Sequence, residues 1–302
     1  MIKIYETTFK DVSAVNVETQ KLIATFLPEL GGKFTSLIDK RTNRQLMEQN
    51  PGEKYQKLSY AGEYVPAECS AFDDMFPTID AFRCNQFPWN GAEMPDHGEV
   101  CGLPWDYEIT GDSLKLSTYG VRFPYRFQKS VGEENGNIKI SYKVTNLCPF
   151  DFDFVYAAHC MIAGEAGAEV TFPFSHGEIC TGIFHEQHEF SYGDKMTWQG
   201  CTLPPKGDNR AYKFFFDKPI PEGWCKCTYK DGSFVKMVFP EDRLPWMGLW
   251  LNTGSFKNMY NIAFEPCSGT HDRPDIARQH GKFSVLPAKG TYEWFLKFEV
   301  ND

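Results

Sequence analysis

Turn residues interrupt this sequence roughly every ten positions, and this spacing constrains the fold more than any other feature. Short runs that alternate apolar and polar residues lie between the turns, such as "SLKLSTYGV" at 113–121 and "NIKISYKVTN" at 137–146. Turn signals such as "KDGS" at 230–233 and "AKGT" at 288–291 separate such runs. Many short strands at this spacing are typical of a β-sandwich or a β-barrel. No segment keeps a 3.6-residue apolar repeat, so we predict few and short helices.

The composition agrees with an all-β chain. The sequence has 302 residues, among them 26 Phe, 14 Tyr and 7 Trp. Aromatic side chains fit a pleated, half-buried surface. A chain of this length can bury a large core, and no break in composition divides it. We therefore predict a single domain over residues 1–302.

Several functional classes are disfavoured. No apolar stretch is long enough to span a membrane as a helix, and the N-terminal "MIKIYETTFKDV" lacks the apolar region of a secretion signal. The ten cysteines include no C-x-x-C pair, which favours reduced thiols in the cytoplasm. A net charge of −9 disfavours binding to a phosphate backbone. We expect neither a membrane nor a nucleic-acid partner.

Three residues are candidates for proton transfer. His159 lies in the apolar strand "FVYAAHCMI", where an imidazole needs hydrogen-bond partners. Glu265 ends the apolar strand "NIAFEPCSG", from which a carboxylate can point into a cleft and act as a base. His97 lies in the irregular "PDHGEVCGLPW", where Asp96 or Glu99 can orient its ring. Each residue also fits a structural role: a hydrogen-bonded core histidine, a surface carboxylate and a solvated turn histidine.

A second group of residues suits sugar recognition. "CSAFDDMFPTIDAFR" places Asp73, Asp74 and Arg83 near aromatic side chains. Sugars present hydroxyl groups at the ring edge and C–H patches on the ring face, so polar groups among aromatic rings fit them. The tryptophans Trp105, Trp246 and Trp250 are candidate platforms, and each also fits a core position.

Metal and cofactor sites have little support. "HEQHEF" at 185–190 spaces its two histidines three apart, which matches neither of the usual helical zinc motifs. The sequence has no G-x-S-x-G, no phosphate-binding loop and no dinucleotide fingerprint. We predict no metal and no cofactor. A pair of carboxylates of the glycosidase type stays open, because their separation in space decides that reaction.

Taken in order, these segments resemble the aldose 1-epimerase (galactose mutarotase-like) superfamily over nearly the whole chain. "LPELGGKFTSLIDKRTNRQLM" is similar to the first hairpin of that family, and "DDMFPTID" to the segment that leads to its pocket. "PDHGEVCGLPW" resembles its His-Gly block, "YAAHCMI" its second histidine strand, and "NIAFEPCSG" its Glu-Pro strand. "VLPAKGTYEWFLKFEV" resembles its closing strand. The order of the motifs carries the resemblance.

The resemblance implies a large antiparallel β-sandwich with its site in a cleft on one sheet. It implies an enzyme that interconverts the α and β anomers of a free sugar without a metal or cofactor. Glu265 would take the proton from the anomeric hydroxyl, His159 would protonate the ring oxygen, and His97 would bind the sugar and polarise that oxygen. The ring would open to the aldehyde, C1 would rotate about its bond to C2, and the ring would close to the other anomer.

The sequence departs from the family pattern around the sugar. The galactose-specific members carry an Asn-Arg pair before the His-Gly block and an Asn-His pair at the second histidine, where this chain has "TIDAFR" and "AAHC". Arg83 is the candidate pocket arginine, and Asp208 is assigned as the aspartate that grips sugar hydroxyls. Phosphorylated sugars stay open, with Arg83, Arg122 and Arg126 as candidate cations.

Two alternative functions stay open. The first is a non-catalytic carbohydrate-binding or sugar-sensing protein on the same fold, since a fold does not fix a function. The second is a carbohydrate lyase or hydrolase of the same architecture, which would need a second carboxylate opposite Glu265. Both histidines and the glutamate together favour the epimerase.

Overall fold

A computed structural model describes residues 2–302. It contains twenty-five strands, one α-helix and one 3-10 turn at Val100–Gly102. In chain order the strands are β1 (Lys3–Phe9), β2 (Val12–Glu18), β3 (Leu22–Leu27), β4 (Lys33–Asp39), β5 (Arg44–Gln45), β6 (Phe72–Met75), β7 (Phe82–Arg83), β8 (Glu93–Met94), β9 (Asp106–Thr110), β10 (Ser113–Tyr119), β11 (Tyr125–Glu134), β12 (Asn137–Asn146), β13 (Phe152–Phe154), β14 (Ala157–Ala163), β15 (Glu169–Thr171), β16 (Ile179–His185), β17 (Lys195–Thr197), β18 (Cys201–Thr202), β19 (Ala211–Phe216), β20 (Trp224–Thr228), β21 (Phe234–Val238), β22 (Trp246–Thr253), β23 (Tyr260–Cys267), β24 (Ser284–Leu286) and β25 (Thr291–Val300). The helix α1 (Pro274–Gln279) follows β23.

Two large sheets build the fold. The first has twelve strands, eleven of them in the order β1–β2–β3–β4–β6–β14–β23–β22–β19–β16–β17, while β5 pairs with β4. The second has nine strands in the order β18–β15–β20–β21–β25–β12–β11–β10–β9. The small pairs β13–β24 and β7–β8 complete the set. The predicted antiparallel β-sandwich with few short helices is therefore confirmed.

Alternation along the strands builds the core between the two sheets. In β12 the residues Ile138, Ile140, Tyr142 and Val144 are buried, because every second side chain of a strand points to the same face. Phe34 of β4 meets Phe298 of β25 edge to face, with ring centroids 5.3 Å apart. Burying a side chain of this size stabilises a fold by about 1.5–3 kcal/mol.

The middle of the first sheet is buried on both faces. All eight residues of β23 are buried, although only one face of the strand meets the second sheet. Ile262 and Phe264 belong to the core between the sheets, whereas Asn261 and Glu265 line a cavity on the opposite face. Long connecting segments cover that outer face, and the candidate site lies beneath them.

Candidate functional site

Neighbouring strands of the first sheet bring three ionisable side chains to one face. The sheet order places β14, β23, β22 and β19 side by side. His159 projects from β14, Glu265 from β23 and Lys213 from β19, and all three line the same cavity. Residues far apart in the chain thus become neighbours because antiparallel pairing fixes the register of each strand.

A glycine on the intervening strand makes room for the glutamate. Gly248 of β22 pairs directly with Glu265. A Cβ at Gly248 would lie 3.2 Å from the Glu265 Cβ and 2.9 Å from the ring of Phe215. Contacts this short force neighbouring groups to shift. Because Gly248 has no side chain, the Glu265 side chain has room beside it.

His97 enters the site from a strained loop. Its φ angle is +62°, which is uncommon for a residue with a side chain. The backbone N–H of His97 donates to the Ile79 carbonyl at 2.5 Å. The backbone N–H of Glu99, two residues later, donates to the Phe76 carbonyl at 2.8 Å. Gly98 has φ +73°, and a Cβ there would lie 2.4 Å from the Phe76 oxygen. The glycine after His97 is thus required by close packing of this loop on the strand end at Phe76.

The two acids that flank His97 have different roles. The carboxylate of Asp96 lies 2.9 Å from His97 Nδ1, but its direction does not satisfy hydrogen-bond geometry. Glu99 is fully buried and accepts hydrogen bonds from Tyr60, Tyr125 and the Arg122 backbone. Asp96 is therefore the acid beside the ring, and Glu99 anchors the loop.

The three predicted catalytic side chains meet at the cavity. His159 Nε2 lies 3.8 Å from Glu265 Oε1. The His97 and His159 rings are perpendicular, with centroids 5.7 Å apart. Glu265 Oε1 has no hydrogen-bond partner in the protein. The structure therefore brings together two imidazoles and one carboxylate oxygen that is free to accept a proton.

Tyr64 connects the two histidines. Its ring stacks on His97 with centroids 3.7 Å apart, and its hydroxyl lies 3.4 Å from His159 Nδ1. The same hydroxyl donates to Asp73 Oδ2 at 2.7 Å, and Lys33 pairs with that carboxylate at 2.5 Å. Because the hydroxyl proton goes to Asp73, we assign the proton of neutral His159 to Nδ1. Its Nε2 then faces Glu265.

His159 is held in its neutral form. Burial lowers the pKa of His159 well below its ordinary value of 6.5, and the neighbouring His97, Lys213 and Lys33 lower it further. The ring is 8% exposed, so it meets the cavity at its edge, whereas Glu265 is completely covered. A ligand in the cavity therefore meets His159 before it meets the carboxylate.

Lys213 lies between two buried carboxyl groups. Its Nζ is 2.8 Å from Glu265 Oε2 and 2.8 Å from Asp272 Oδ1. Burial opposes the charge of Lys213, but both carboxylates outweigh it and raise the pKa of the ammonium. Burial raises the pKa of Asp272 to about 7, although the Lys213 ammonium opposes the rise. Lys213 thus stays charged at neutral pH.

The cavity has a volume of about 300 Å³ and its wall is mostly apolar. Trp250 is half-buried in this wall and contacts Phe184 and Phe256, with ring centroids 5.8 Å and 5.3 Å away. Met161 and Met259 extend the apolar surface. Polar side chains such as Asn252, Asn261 and Lys257 share the wall with these apolar groups, as in pockets that recognise small ligands.

Two residues assigned to the sugar lie in the core between the sheets. Asp74 points away from the cavity, because it alternates with Asp73 on β6, and it pairs with Lys129 at 2.9 Å and with the Tyr156 hydroxyl at 2.8 Å. Trp105 is 2% exposed and donates its indole N–H to the Val100 carbonyl. Both side chains lie outside the cavity wall, so we do not include them in the proposed site.

The other four assigned residues also lie outside the cavity wall. Asp73 accepts the hydrogen bond of the Tyr64 hydroxyl. Arg83 is exposed and lines a neighbouring open groove. Asp208 pairs with Arg210 at 2.9 Å at the surface, and Trp246 is half-buried with Lys282 over its ring at 5.0 Å. None of these four side chains belongs to the cavity wall, so we leave their contact with sugar out of the proposal.

Three residues at the site were not predicted from the sequence. Lys213 interrupts the apolar run "AYKFFF", and a charge within such a run is a signal of a paired buried group. Asp272 follows the Glu265 strand closely, in "SGTHD". Tyr64 lies in a long irregular segment and has no signal in the sequence pattern. Within residues 2–302, no group of three or more His, Cys, Asp or Glu side chains is arranged to hold a metal ion.

Comparison with solved structures identifies the class of fold. The chain has the galactose mutarotase-like fold, as the sequence motifs predicted. It is similar to a protein from Synechocystis sp. PCC 6803 at 15% identity and a TM-score of 0.73, covering 98% of this chain and 99% of that one. It is similar to galactose mutarotase-like proteins from Clostridium acetobutylicum, at 13% identity and a TM-score of 0.71, and from Lactobacillus casei ATCC 334, at 16% and 0.69. These matches cover 100% and 95% of this chain and 99% and 100% of those chains.

The sequence matches no protein-family model and no curated protein. At 10–16% identity, the structural neighbours show the fold alone. No helix within residues 2–302 is long and apolar enough to cross a membrane.

Proposed function

We propose that this protein is an aldose 1-epimerase-like isomerase that interconverts the α and β anomers of a free sugar. The observation that carries the proposal is the convergence of Glu265, His159 and His97 on one cavity, with a carboxylate oxygen 3.8 Å from an imidazole nitrogen. Mutarotation needs one group that removes a proton and another that donates one, and it needs no redox partner.

Ring opening uses Glu265 and His159 in opposite roles. The Glu265 carboxylate takes the proton of the anomeric hydroxyl, and the electrons of that O–H bond form the C1=O bond. The bond between C1 and the ring oxygen breaks, and its electrons stay on the ring oxygen, which receives a proton from His159. Rotation about C1–C2 and closure in reverse give the other anomer and restore both groups.

His97 and Trp250 hold the sugar in this scheme. His97 stacks on Tyr64 and has Asp96 beside it, so its ring is fixed where it can hydrogen-bond to the ring oxygen. The half-buried indole of Trp250 offers a flat apolar surface to the C–H face of the sugar. Because Glu265 is completely covered, a small displacement of the surrounding side chains must accompany binding.

The lowered pKa of His159 has a consequence for the rate. The scheme needs His159 protonated and Glu265 ionised at the start of ring opening. Since His159 is neutral near pH 7, the productive fraction is small and increases as the pH falls. We expect kcat/KM to rise between about pH 8 and pH 6.5, in contrast to a site whose histidine is already charged.

The decisive test is anomer exchange followed by NMR with a panel of free and phosphorylated aldoses. Glu265→Gln and His159→Asn each remove one proton-transfer group, and we expect each to lower the exchange rate by about 10²–10⁴-fold. Lys218→Met, at an exposed ion pair with Glu178, is the control. Wild-type protein that accelerates exchange for no sugar would refute the proposal.

Sugar binding measured in the same samples separates the alternative. Binding without exchange would favour a non-catalytic carbohydrate-binding or sugar-sensing protein, the other function that the sequence leaves open. We also propose that one domain over residues 1–302 carries the activity, and that it works in the cytoplasm, where thiols stay reduced. All ten cysteines have free thiols in the structure.

A further inference from the structure

The Lys213 ammonium is the buried charged group of the cavity that the acid–base scheme leaves without a role. It lies 2.8 Å from Glu265 Oε2 and 2.8 Å from Asp272 Oδ1, and all three side chains are buried. A buried charge is costly unless it is paired, and removing one partner of a buried ion pair is strongly destabilising. Such a group at a reaction centre calls for a functional explanation.

The two oxygens of Glu265 have different surroundings. Oε2 faces Lys213 at 2.8 Å, whereas Oε1 faces His159 at 3.8 Å. Neither oxygen has a partner that satisfies hydrogen-bond geometry, so the contact with Lys213 is ionic. Without the ammonium, the carboxylate could rotate about its terminal bond, because that torsion is broad. Lys213 thus selects the orientation in which Oε1 faces the substrate side.

Asp272 is fixed independently of the lysine. It adopts φ +62°, and its backbone carbonyl accepts hydrogen bonds from the N–H groups of Ile79 and Asp80, both at 2.9 Å. The Ile79 carbonyl in turn accepts from the His97 N–H. The carboxylate that holds Lys213 is therefore anchored in the same backbone connection that positions His97.

We propose that Lys213 is a positioning residue for the base of the reaction: it holds Glu265 by Oε2 and leaves Oε1 free, and Asp272 holds Lys213 in turn. This inference rests on the proposed function for its kinetic consequences. The geometry of the lysine between two carboxylates does not depend on that function.

A covalent role for Lys213 is disfavoured. An open-chain aldehyde could form an imine with a lysine only if the amine were neutral. The two neighbouring carboxylates raise the pKa of Lys213, so its nitrogen has no free lone pair near neutrality. The group therefore acts through its charge and its position.

Asp272 gives the arrangement a measurable pH dependence. The charged and titratable groups that face Asp272 are Lys213, Asp80, Glu265, Tyr192 and Cys267. Those that face Glu265 are His159, Lys213, Asp272 and Cys267. Burial raises the pKa of Asp272 to about 7. Below that pH Lys213 has one charged partner, and above it two carboxylates share the same ammonium. We expect an inflection near pH 7 in the rate profile that belongs to Asp272, superimposed on the gradual rise toward low pH that belongs to His159.

The kinetic test uses three variants. Lys213→Met should lower kcat by at least about 100-fold while KM changes less than about threefold, because the base loses its orientation and the sugar contacts remain. Lys213→Arg should restore at least about a tenth of the wild-type kcat, since a guanidinium can still bridge two carboxylates. Asp272→Asn should remove the inflection near pH 7 and keep the gradual rise toward low pH that belongs to His159. A kcat within threefold of the wild type in Lys213→Met, or an inflection near pH 7 that persists in Asp272→Asn, would overturn the inference.

A second readout does not need catalysis. The ¹³C carboxyl resonance of Asp272, assigned by comparison with Asp272→Asn, should titrate near pH 7 in the wild type. It should titrate at higher pH in Lys213→Met, because the stabilising ammonium is gone. The same midpoint in both proteins would overturn the inference even if anomer exchange is robust. If the protein accelerates anomer exchange for no sugar but the titration midpoint of Asp272 moves as expected, the proposed function is wrong and the pairing of Lys213 with Asp272 is supported.

The double variant Lys213→Met/Asp272→Asn covers the case in which Lys213→Met does not fold. It removes one charge of each sign and leaves the net charge of the site unchanged. If Lys213 positions the base, the folded double variant should have a kcat as low as the one expected for Lys213→Met. Wild-type kcat in the double variant would contradict a positioning role.

Discussion

The phenol ring of Tyr64 stacks on the imidazole of His97 with centroids 3.7 Å apart and planes that differ by 9°. Its hydroxyl lies 3.4 Å from Nδ1 of His159, the other histidine of the cavity. One side chain therefore sets the orientation of both rings. The hydroxyl donates to Asp73, and Lys33 pairs with Asp73, so the connection extends two residues away from the cavity.

Tyr64 offers a test that separates stacking from hydrogen bonding. Tyr64→Phe keeps the ring on His97 and removes the contact with His159, and we expect kcat to fall about tenfold, which corresponds to ~1.4 kcal/mol. Tyr64→Ala removes both contacts and should cost about 100-fold. Anomer exchange by NMR measures both rates, and ¹⁵N NMR of the imidazoles reports the His159 tautomer. Wild-type exchange and an unchanged tautomer in Tyr64→Phe would show that the hydroxyl has no such role.

Two of the three ionisable groups of the proposed reaction stand out in the sequence because their positions are anomalous in the strand pattern. An imidazole in the apolar run around His159 and a carboxylate at the end of the Glu265 strand both violate local rules for buried segments. His97 precedes a glycine that the close backbone approach to Phe76 requires. Such local conflicts can be recognised from the sequence alone.

The rest of the site depends on pairing between distant segments. The sequence "FDDM" contains two adjacent aspartates, and adjacent residues of a strand point to opposite faces. Only the sheet order decides that Asp73 faces the cavity side and Asp74 the core. Lys129, the partner of Asp74, is 55 residues further along the chain. Tyr64 lies in a segment without periodicity, so its place was not predictable at all.

The ion pair between Asp74 and Lys129 should stabilise the fold and leave sugar affinity unchanged. Their side chains are 0% and 1% exposed, and Nζ lies 2.9 Å from Oδ2. Lys129→Met leaves a buried carboxylate without its cation and should lower the free energy of unfolding by about 3–5 kcal/mol. Lys129→Met/Asp74→Asn should recover part of that loss. Urea unfolding measures both variants, and a loss of sugar affinity without a loss of stability would place Asp74 in the binding site.

Trp250 and Trp246 form a matched pair on one strand. Trp250 belongs to the cavity wall, whereas Trp246 lies under Lys282 outside that wall. Trp250→Leu should weaken sugar binding about tenfold, because a flat ring that covers the sugar C–H face is lost. Trp246→Leu should change the affinity less than about twofold. Titration calorimetry with the sugar that exchanges fastest measures both, and equal losses in the two variants would argue against a platform at Trp250.

Phosphorylated aldoses should be poor substrates. Of the two lysines in the cavity wall, Lys213 is paired with two carboxylates, and Lys257 donates to the carbonyl oxygens of Ala67 and Pro66. No arginine lines this cavity within the described residues, and Arg83 and Arg122 line the neighbouring groove. A dianionic phosphate thus finds no arginine, and the one lysine without a carboxylate partner, Lys257, already donates to Gln56, Pro66 and Ala67. We expect kcat/KM for an aldose 6-phosphate to be at least about tenfold lower than for the free aldose, and the reverse preference would contradict this assignment of charges.

Acid should destabilise the protein partly through His271, which lies next to Asp272. Its ring stacks on His280 with centroids 4.1 Å apart, and burial together with this neighbour lowers the pKa of His271 to about 4. A lowered pKa means that the unfolded chain binds a proton below about pH 6.5 while the folded chain does not. Stability is therefore kept above pH 6.5 and is lost progressively as the pH falls toward 4.

His271→Asn tests this contribution, because asparagine tolerates the φ of +63° at this position. We expect urea unfolding free energies of the variant to fall less steeply than those of the wild type between about pH 6.5 and pH 4.5. His188→Asn is the matched control, since His188 is exposed and also has a positive φ, of +57°. If His271→Asn follows the wild-type slope, the stacked pair does not couple folding to pH. If His188→Asn flattens the slope equally, the effect belongs to surface histidines in general.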